Sequence, residues 1–149
     1  MANIHRSNLD LFMKCRNGEV EQVRQALASG ADPNSTGGDI VSLTLLTIAV
    51  VNNHEEVVDL LLATDGIEVN KRGGLQHQTT LHFACFNTRG AVIIKMLAAP
   101  GIDVNALNRY NYTPMMSALD FGQTEAVRLL APVADLDRKY PDGQSLEEM

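Results

Sequence analysis

His82 and Cys85 lie three residues apart. On a helix this is one turn, the spacing at which an imidazole could take a proton from a thiol and leave a nucleophile. A second chemistry to weigh is metal binding, but His5, His54, His77 and His82 fall in four different settings and do not converge as a zinc ligand set would. A third is phosphate binding. Gly37-Gly38 and Gly73-Gly74 are glycine pairs, yet neither follows a strand and opens a helix as a phosphate loop must. Cys15 and Cys85 form no CxxC or Cys/His cluster and read as free thiols. His82 also belongs to a motif that recurs along the chain, and Cys85 suits a tight helix contact by its small size. The expectation is a chain with no catalytic group, no metal and no cofactor.

The elements that would position these residues are set by repetition. Thr44-Leu45-Leu46-Thr47-Ile48-Ala49, Thr79-Thr80-Leu81-His82-Phe83-Ala84 and Thr113-Pro114-Met115-Met116-Ser117-Ala118 are alike and start 35 and 34 residues apart. A period in this range with a helix-turn-helix inside it marks a solenoid whose units bury their apolar faces on their neighbours. Eight residues after Ala49 begins Val57-Val58-Asp59-Leu60-Leu61-Leu62, and eight after Ala84 begins Val92-Ile93-Ile94-Lys95-Met96-Leu97. Ala126-Val127-Arg128-Leu129-Leu130 stands at the same offset from Ala118. Each has the apolar spacing of a helix packed on one side, with Leu61 and Leu97 in the expected core. Gly30-Ala31-Asp32-Pro33-Asn34, Gly66-Ile67-Glu68-Val69-Asn70 and Gly101-Ile102-Asp103-Val104-Asn105 follow the outer helices, the glycine supplying the left-handed residue that ends each one.

On these motifs the chain resembles the ankyrin-repeat family over nearly its whole length. Residues 79–84 meet that family's inner-helix pattern Thr-Pro-Leu-His-x-Ala except at the proline, and residues 30–34 meet its hairpin pattern Gly-Ala-Asp-x-Asn. The resemblance implies an all-α solenoid of helix-turn-helix units joined by β-hairpin loops, with about four repeats and a partial fifth. One domain is expected over 1–149: an N-terminal capping repeat at 7–34, repeats at 35–70, 71–105 and 106–137, and a partial or truncated unit at 138–149. In the cap, Lys14 is read at the alanine position of the internal units, where one side faces water. Thr47 and Met116 replace the family histidine, so only His82 keeps the hydrogen bond which that side chain makes to a neighbouring loop. Asn53 and Thr88 replace the glycine between paired helices; the β-branched Thr88 should make the third unit's turn the least regular. Lys95, standing where the other outer helices have Leu60 and Leu129, suggests a slight rotation of its helix.

Function in such a scaffold comes from positions the repeat does not need for its own packing. In the ankyrin family these are the hairpin tips and the residues just after the inner-helix alanine, which line a concave groove. Carried over, they are Ile40, Val41, Leu43, Val51 and Asn52 in unit two, and Leu75, Gln76, Gln78, Phe86 and Asn87 in unit three. In unit four they are Arg109, Tyr110, Tyr112, Asp120 and Phe121. Arg16 and Asn17 extend the strip into the cap, and Tyr140 extends it beyond unit four. Of the chain's four Phe and three Tyr, five fall on or beside this strip, and binding centres are enriched in such rings. The alternative is that some of them pack between hairpins.

The hairpin asparagine precedes the motif threonine by ten residues in the first connection, nine in the second and eight in the third. The first finger is therefore long, and Ile40-Val41-Ser42-Leu43 gives it an apolar tip that either binds a partner or folds back onto the cap. Lys71, Arg72 and His77 give the second finger a basic character. Asn70 and Asn105 each follow an acidic residue and a valine, with Leu62 and Leu97 eight residues upstream. That pattern is similar to ankyrin proteins modified by an asparaginyl hydroxylase, which makes both candidate hydroxylation sites. The competing role is to hold the loop through side-chain to backbone hydrogen bonds.

A net charge of −6 with no basic run argues against a nucleic-acid backbone or an anionic membrane as ligand. The N-terminus lacks a secretory apolar core and no apolar run is long enough to span a bilayer, so a place in the cytoplasm, or else the nucleus, is expected; the chain is read as a monomer. The resemblance implies a non-enzymatic module that binds a partner protein or peptide through its concave groove and hairpin fingers, in the manner of a scaffold or adaptor. Two further readings are an inhibitor that masks a partner such as a transcription factor, and a structural fragment of a longer ankyrin-containing protein.

Overall fold

The computed structural model describes residues 2–87 and 89–146, with side chains described from Arg6 onward except that of Asn87. Among the described residues it is built of antiparallel helix pairs: α1 (Ala2–Asn17) with α2 (Val20–Ala28), α3 (Leu45–Val51) with α4 (Glu55–Leu62), α5 (Thr80–Asn87) with α6 (Gly90–Leu97), and α7 (Pro114–Asp120) with α8 (Thr124–Leu130). A two-residue hairpin of β1 (Thr36–Gly37) and β2 (Leu43–Thr44) joins the first pair to the second. Each odd-numbered helix packs on the next odd-numbered one, and the even-numbered helices form a second layer behind them. The architecture is the ankyrin-type helical solenoid expected from the repeat.

The inner helices α3 and α7 start where they do because a threonine caps each of them. Thr44 Oγ1 accepts the Thr47 N–H at 3.0 Å, and Thr113 Oγ1 accepts that of Met116 at 3.2 Å, with Pro114 at the first helical position. The turn inside each pair needs a residue with positive φ. Gly18 (φ 72°), Asn53 (φ 56°) and Gly122 (φ 63°) supply it in three pairs. Thr88, which holds the matching place in the remaining pair, lies outside the described residues.

The core runs between the two layers as one continuous cluster. Cys15, Ala49, Ala84 and Ala118 are buried on the inner helices, with Val23, Val57, Val92 and Ala126 facing them from the outer ones. Cys15 precedes Val23 by the eight residues that separate each alanine from its outer-helix partner, so the expectation of Lys14 at that position is corrected by one residue. Lys14 points outward and pairs with Asp10 at 2.8 Å. The expected rotation of α6 is also absent. Ile94 and Lys95 have the same exposed and half-buried settings as Asp59 and Leu60 in α4. Lys95 lays its stem along the outer face and donates to both Asp59 carboxylate oxygens at 2.8 Å, so tertiary pairing accommodates the charge without turning the helix.

At the far end, residues 139–146 form a short hairpin in which Tyr140 N–H donates to Gln144 O and Lys139 pairs with Ser145. Tyr140 and Leu146 both join the core cluster, covering the last helix pair. The expected start of a further inner helix at 146–149 lies, after Leu146, outside the described residues.

The first finger is anchored at its base. A Cβ on Gly37 would stand 2.3 Å from Phe12 of α1, and Phe12 is itself buried. Gly37→Ala should therefore destabilise the chain by about 1–3 kcal/mol, since the buried ring or the hairpin would have to shift. Urea unfolding followed by helical circular dichroism would measure it; a midpoint equal to wild type would mean that the hairpin is not seated on the cap.

Candidate functional site

The hairpins that carry the exposed rings are held from beneath. His82, buried in the first turn of α5, accepts the Thr79 N–H on Nδ1 at 3.2 Å, and this leaves Nε2 to donate to the Tyr112 carbonyl at 2.8 Å. Burial is the main cause that lowers the His82 pKa below the ordinary histidine value, so the ring is neutral in this role. The expected hydrogen bond to a neighbouring loop is thus made. In the pair before, Thr47 takes a different route: Thr44 Oγ1 donates to Thr47 Oγ1, which lies 2.8 Å from Thr80 Oγ1 in the next unit. In the pair after, the Met116 sulfur accepts the Thr113 N–H at 3.4 Å. Asn108 shapes the third hairpin, its Oδ1 accepting the N–H groups of Tyr110 and Tyr112 at 2.9 and 3.1 Å.

Above this frame an open groove of ≈ 440 Å³ lies between the third hairpin and the ends of α5 and α7. Phe86 and Phe121 meet along it with centroids 4.6 Å apart and planes tilted by 56°, a geometry favoured by ring quadrupoles. Tyr110 and Tyr112 line it from the hairpin, and Gln76 and Gln78 line it from the hairpin before. Phe121 is 60% exposed and Tyr110 56%. Asp120 is the one charged residue among those lining it. The Gln78 side chain is buried, and its Nε2 has no hydrogen-bond partner among the described residues.

Seven of the residues expected from sequence therefore meet in one place: Gln76, Gln78, Phe86, Tyr110, Tyr112, Asp120 and Phe121. Asn108 and Ser117 complete the lining and were not anticipated. Tyr140, expected to extend the strip, is instead 6% exposed. Its ring meets Tyr112 edge-on at 5.4 Å, and its hydroxyl donates to Asp120 Oδ1 at 3.1 Å. Burial and the neighbouring carboxylate raise its pKa. Tyr140 is a buttress behind the groove because the following hairpin folds it inward.

The other expected residues lie away from this groove. Ile40 is 87% exposed at the first fingertip. Val41 and Leu43 are half-buried, standing within van der Waals reach of the space beside Gly74, and Ser42 O accepts the Gly74 N–H at 2.9 Å. The first finger thus leans on the second, while its base sits on the cap. Val51 and Asn52 end α3, the Asn52 amide donating to Ile48 O. Leu75 and Arg109 clip the second finger to the third, as Arg109 Nη1 donates to Leu75 O at 3.1 Å. Arg72 adds a forked bond to Leu107 O. The Asn87 side chain lies outside the described residues.

The hairpin asparagines bridge neighbouring units. Asn34 donates to Gly66 O and accepts Glu68 N–H, both at 2.8 Å, and Asn70 does the same with Gly101 O and Asp103 N–H. Asn105 accepts Asp135 N–H at 2.8 Å. An enzyme hydroxylating Asn70 or Asn105 would have to draw it out of these bonds.

Both His82 nitrogens are occupied, and burial pushes the Cys85 thiol up to about 12, as it does that of Cys15. A thiol so protonated does not act as a nucleophile at neutral pH. Among the described residues no His, Cys, Asp and Glu group could hold a metal, and no helix is long and apolar enough to cross a membrane.

Compared with known families, the chain matches a model described as ankyrin repeats (3 copies) at residues 11–108 and 75–140. No curated protein matches it significantly.

Proposed function

The chain belongs to the ankyrin-repeat family, whose members are generally protein–protein interaction modules, and from that premise we propose that it binds a partner polypeptide across the groove between its third and fourth helix pairs. The observation that carries this reading is the exposure of Tyr110 and Phe121 on the walls of one concave space. Exposed rings held on a rigid base bury much area with little loss of entropy when a partner covers them. The first finger, with Ile40 projecting at its tip, is a secondary contact of the same docking surface.

The test is capture from cell lysate by wild type beside a Tyr110→Ala/Phe121→Ala variant with unchanged helical circular dichroism. Each ring is expected to contribute roughly 2 kcal/mol or more to binding, so bands held by wild type should disappear from the variant. Identical bands from both proteins would remove the groove from the function.

A further inference from the structure

Resting on that reading of the groove, we propose that the partner segment inserts an arginine side chain, stacked against the groove's rings and paired with Asp120. Asp120 is the groove's one charged lining residue, and it is exposed. Its Oδ1 accepts only a neutral phenol, from Tyr140, and no lysine or arginine among the described residues forms an ion pair with it. Asp120 is thus a carboxylate left without a cation, set beside Phe86, Phe121, Tyr110 and Tyr112.

Ring faces attract cations through their quadrupoles. A carboxylate beside them adds Coulomb attraction, strengthened as the incoming side chain displaces water. A guanidinium suits the combination better than an ammonium, since its plane stacks on a ring while its edge presents a fork of donors to a carboxylate. An acidic side chain would meet repulsion from Asp120 at the same place. The chain's net charge of −6 acts in the same direction at longer range, favouring a basic segment during encounter.

The experiment is an NMR titration of the isotope-labelled chain with N-acetyl-arginine amide and with N-acetyl-citrulline amide, its neutral isostere. The expected result is that the arginine compound moves the resonances of groove residues such as Gln76, Tyr110 and Phe121, and binds about tenfold more tightly than the citrulline compound. Asp120→Asn keeps an acceptor for Tyr140 and should erase that preference; Phe121→Ala should weaken both compounds. Equal binding of the two at the groove would overturn the arginine assignment and leave the docking groove standing. Absence of any groove shift with the arginine compound would also overturn it. If the lysate bands are in addition indifferent to the double ring variant, the groove reading itself falls.

Discussion

Replacing Leu61 by alanine should lower the free energy of unfolding by about 2–5 kcal/mol, the cost of removing a buried leucine and leaving a cavity. Leu61 is fully buried in α4 at the place that Met96 and Leu130 fill in α6 and α8. Its helix packs on α3 in its own unit and on α2 and α6 to either side, so the lost side chain would be felt by three neighbours that cannot all close in. Urea unfolding of the variant would measure the change. A loss below about 1 kcal/mol would mean that the outer layer is not packed here as described. Leu97, which stands one place further along its own helix and is half-buried, should cost less when truncated.

The second large effect is expected at His82. His82→Ala would open a cavity and strand two backbone groups, the Thr79 N–H and the Tyr112 carbonyl, for a combined loss of about 2–5 kcal/mol. Threonine would not rescue it, although it serves at position 47. Thr47 reaches Thr80 Oγ1 in the next unit, whereas the residue that matches Thr80 one unit further is Pro114, which has no hydroxyl.

The same histidine gives stability a pH dependence. Its folded pKa lies below the unfolded value near 6.5, so as pH falls below about 6.5 the unfolded chain takes up a proton that the native ring resists. This part of the stability is complete above that pH and is lost on acidification. Urea midpoints at pH 7.5 and pH 5.5 should differ more for wild type than for His82→Ala; equal differences would show that the ring is not held neutral.

How far the sequence could be read depended on whether a residue's role is local. The threonine caps, the Asn53 turn and the outer-helix faces follow from neighbours a few positions away, and periodicity exposes them. Most of the groove followed from the same register. Asn108 escaped notice although Asn108-Arg109-Tyr110 has the form of an asparagine turn, in which the side chain accepts a nearby N–H. Tyr140 could not be placed from its own segment, because its inward position depends on Tyr112 and Asp120, 28 and 20 residues earlier. Lys95 misled for a similar reason: a charge among leucines suggested a turned helix, and the answer lay in Asp59 on the adjacent unit.

The asparagine bridges give the stack a mechanical character. Among the described residues, Asn34 and Asn70 each fasten the following turn with two bonds, whereas Asn105 fastens its own with one, to Asp135. Pulled along its axis, the stack behaves as springs in series carrying the same tension, and the most compliant spring stretches furthest. Within the row of turns, that spring is the junction at Asn105, between the α6 turn and the turn that follows α8. Tension would therefore open this row of turns first at Asn105, while the Arg72, His82 and Arg109 bonds to the third hairpin region still hold the last helix pair and its Phe121 wall to the stack.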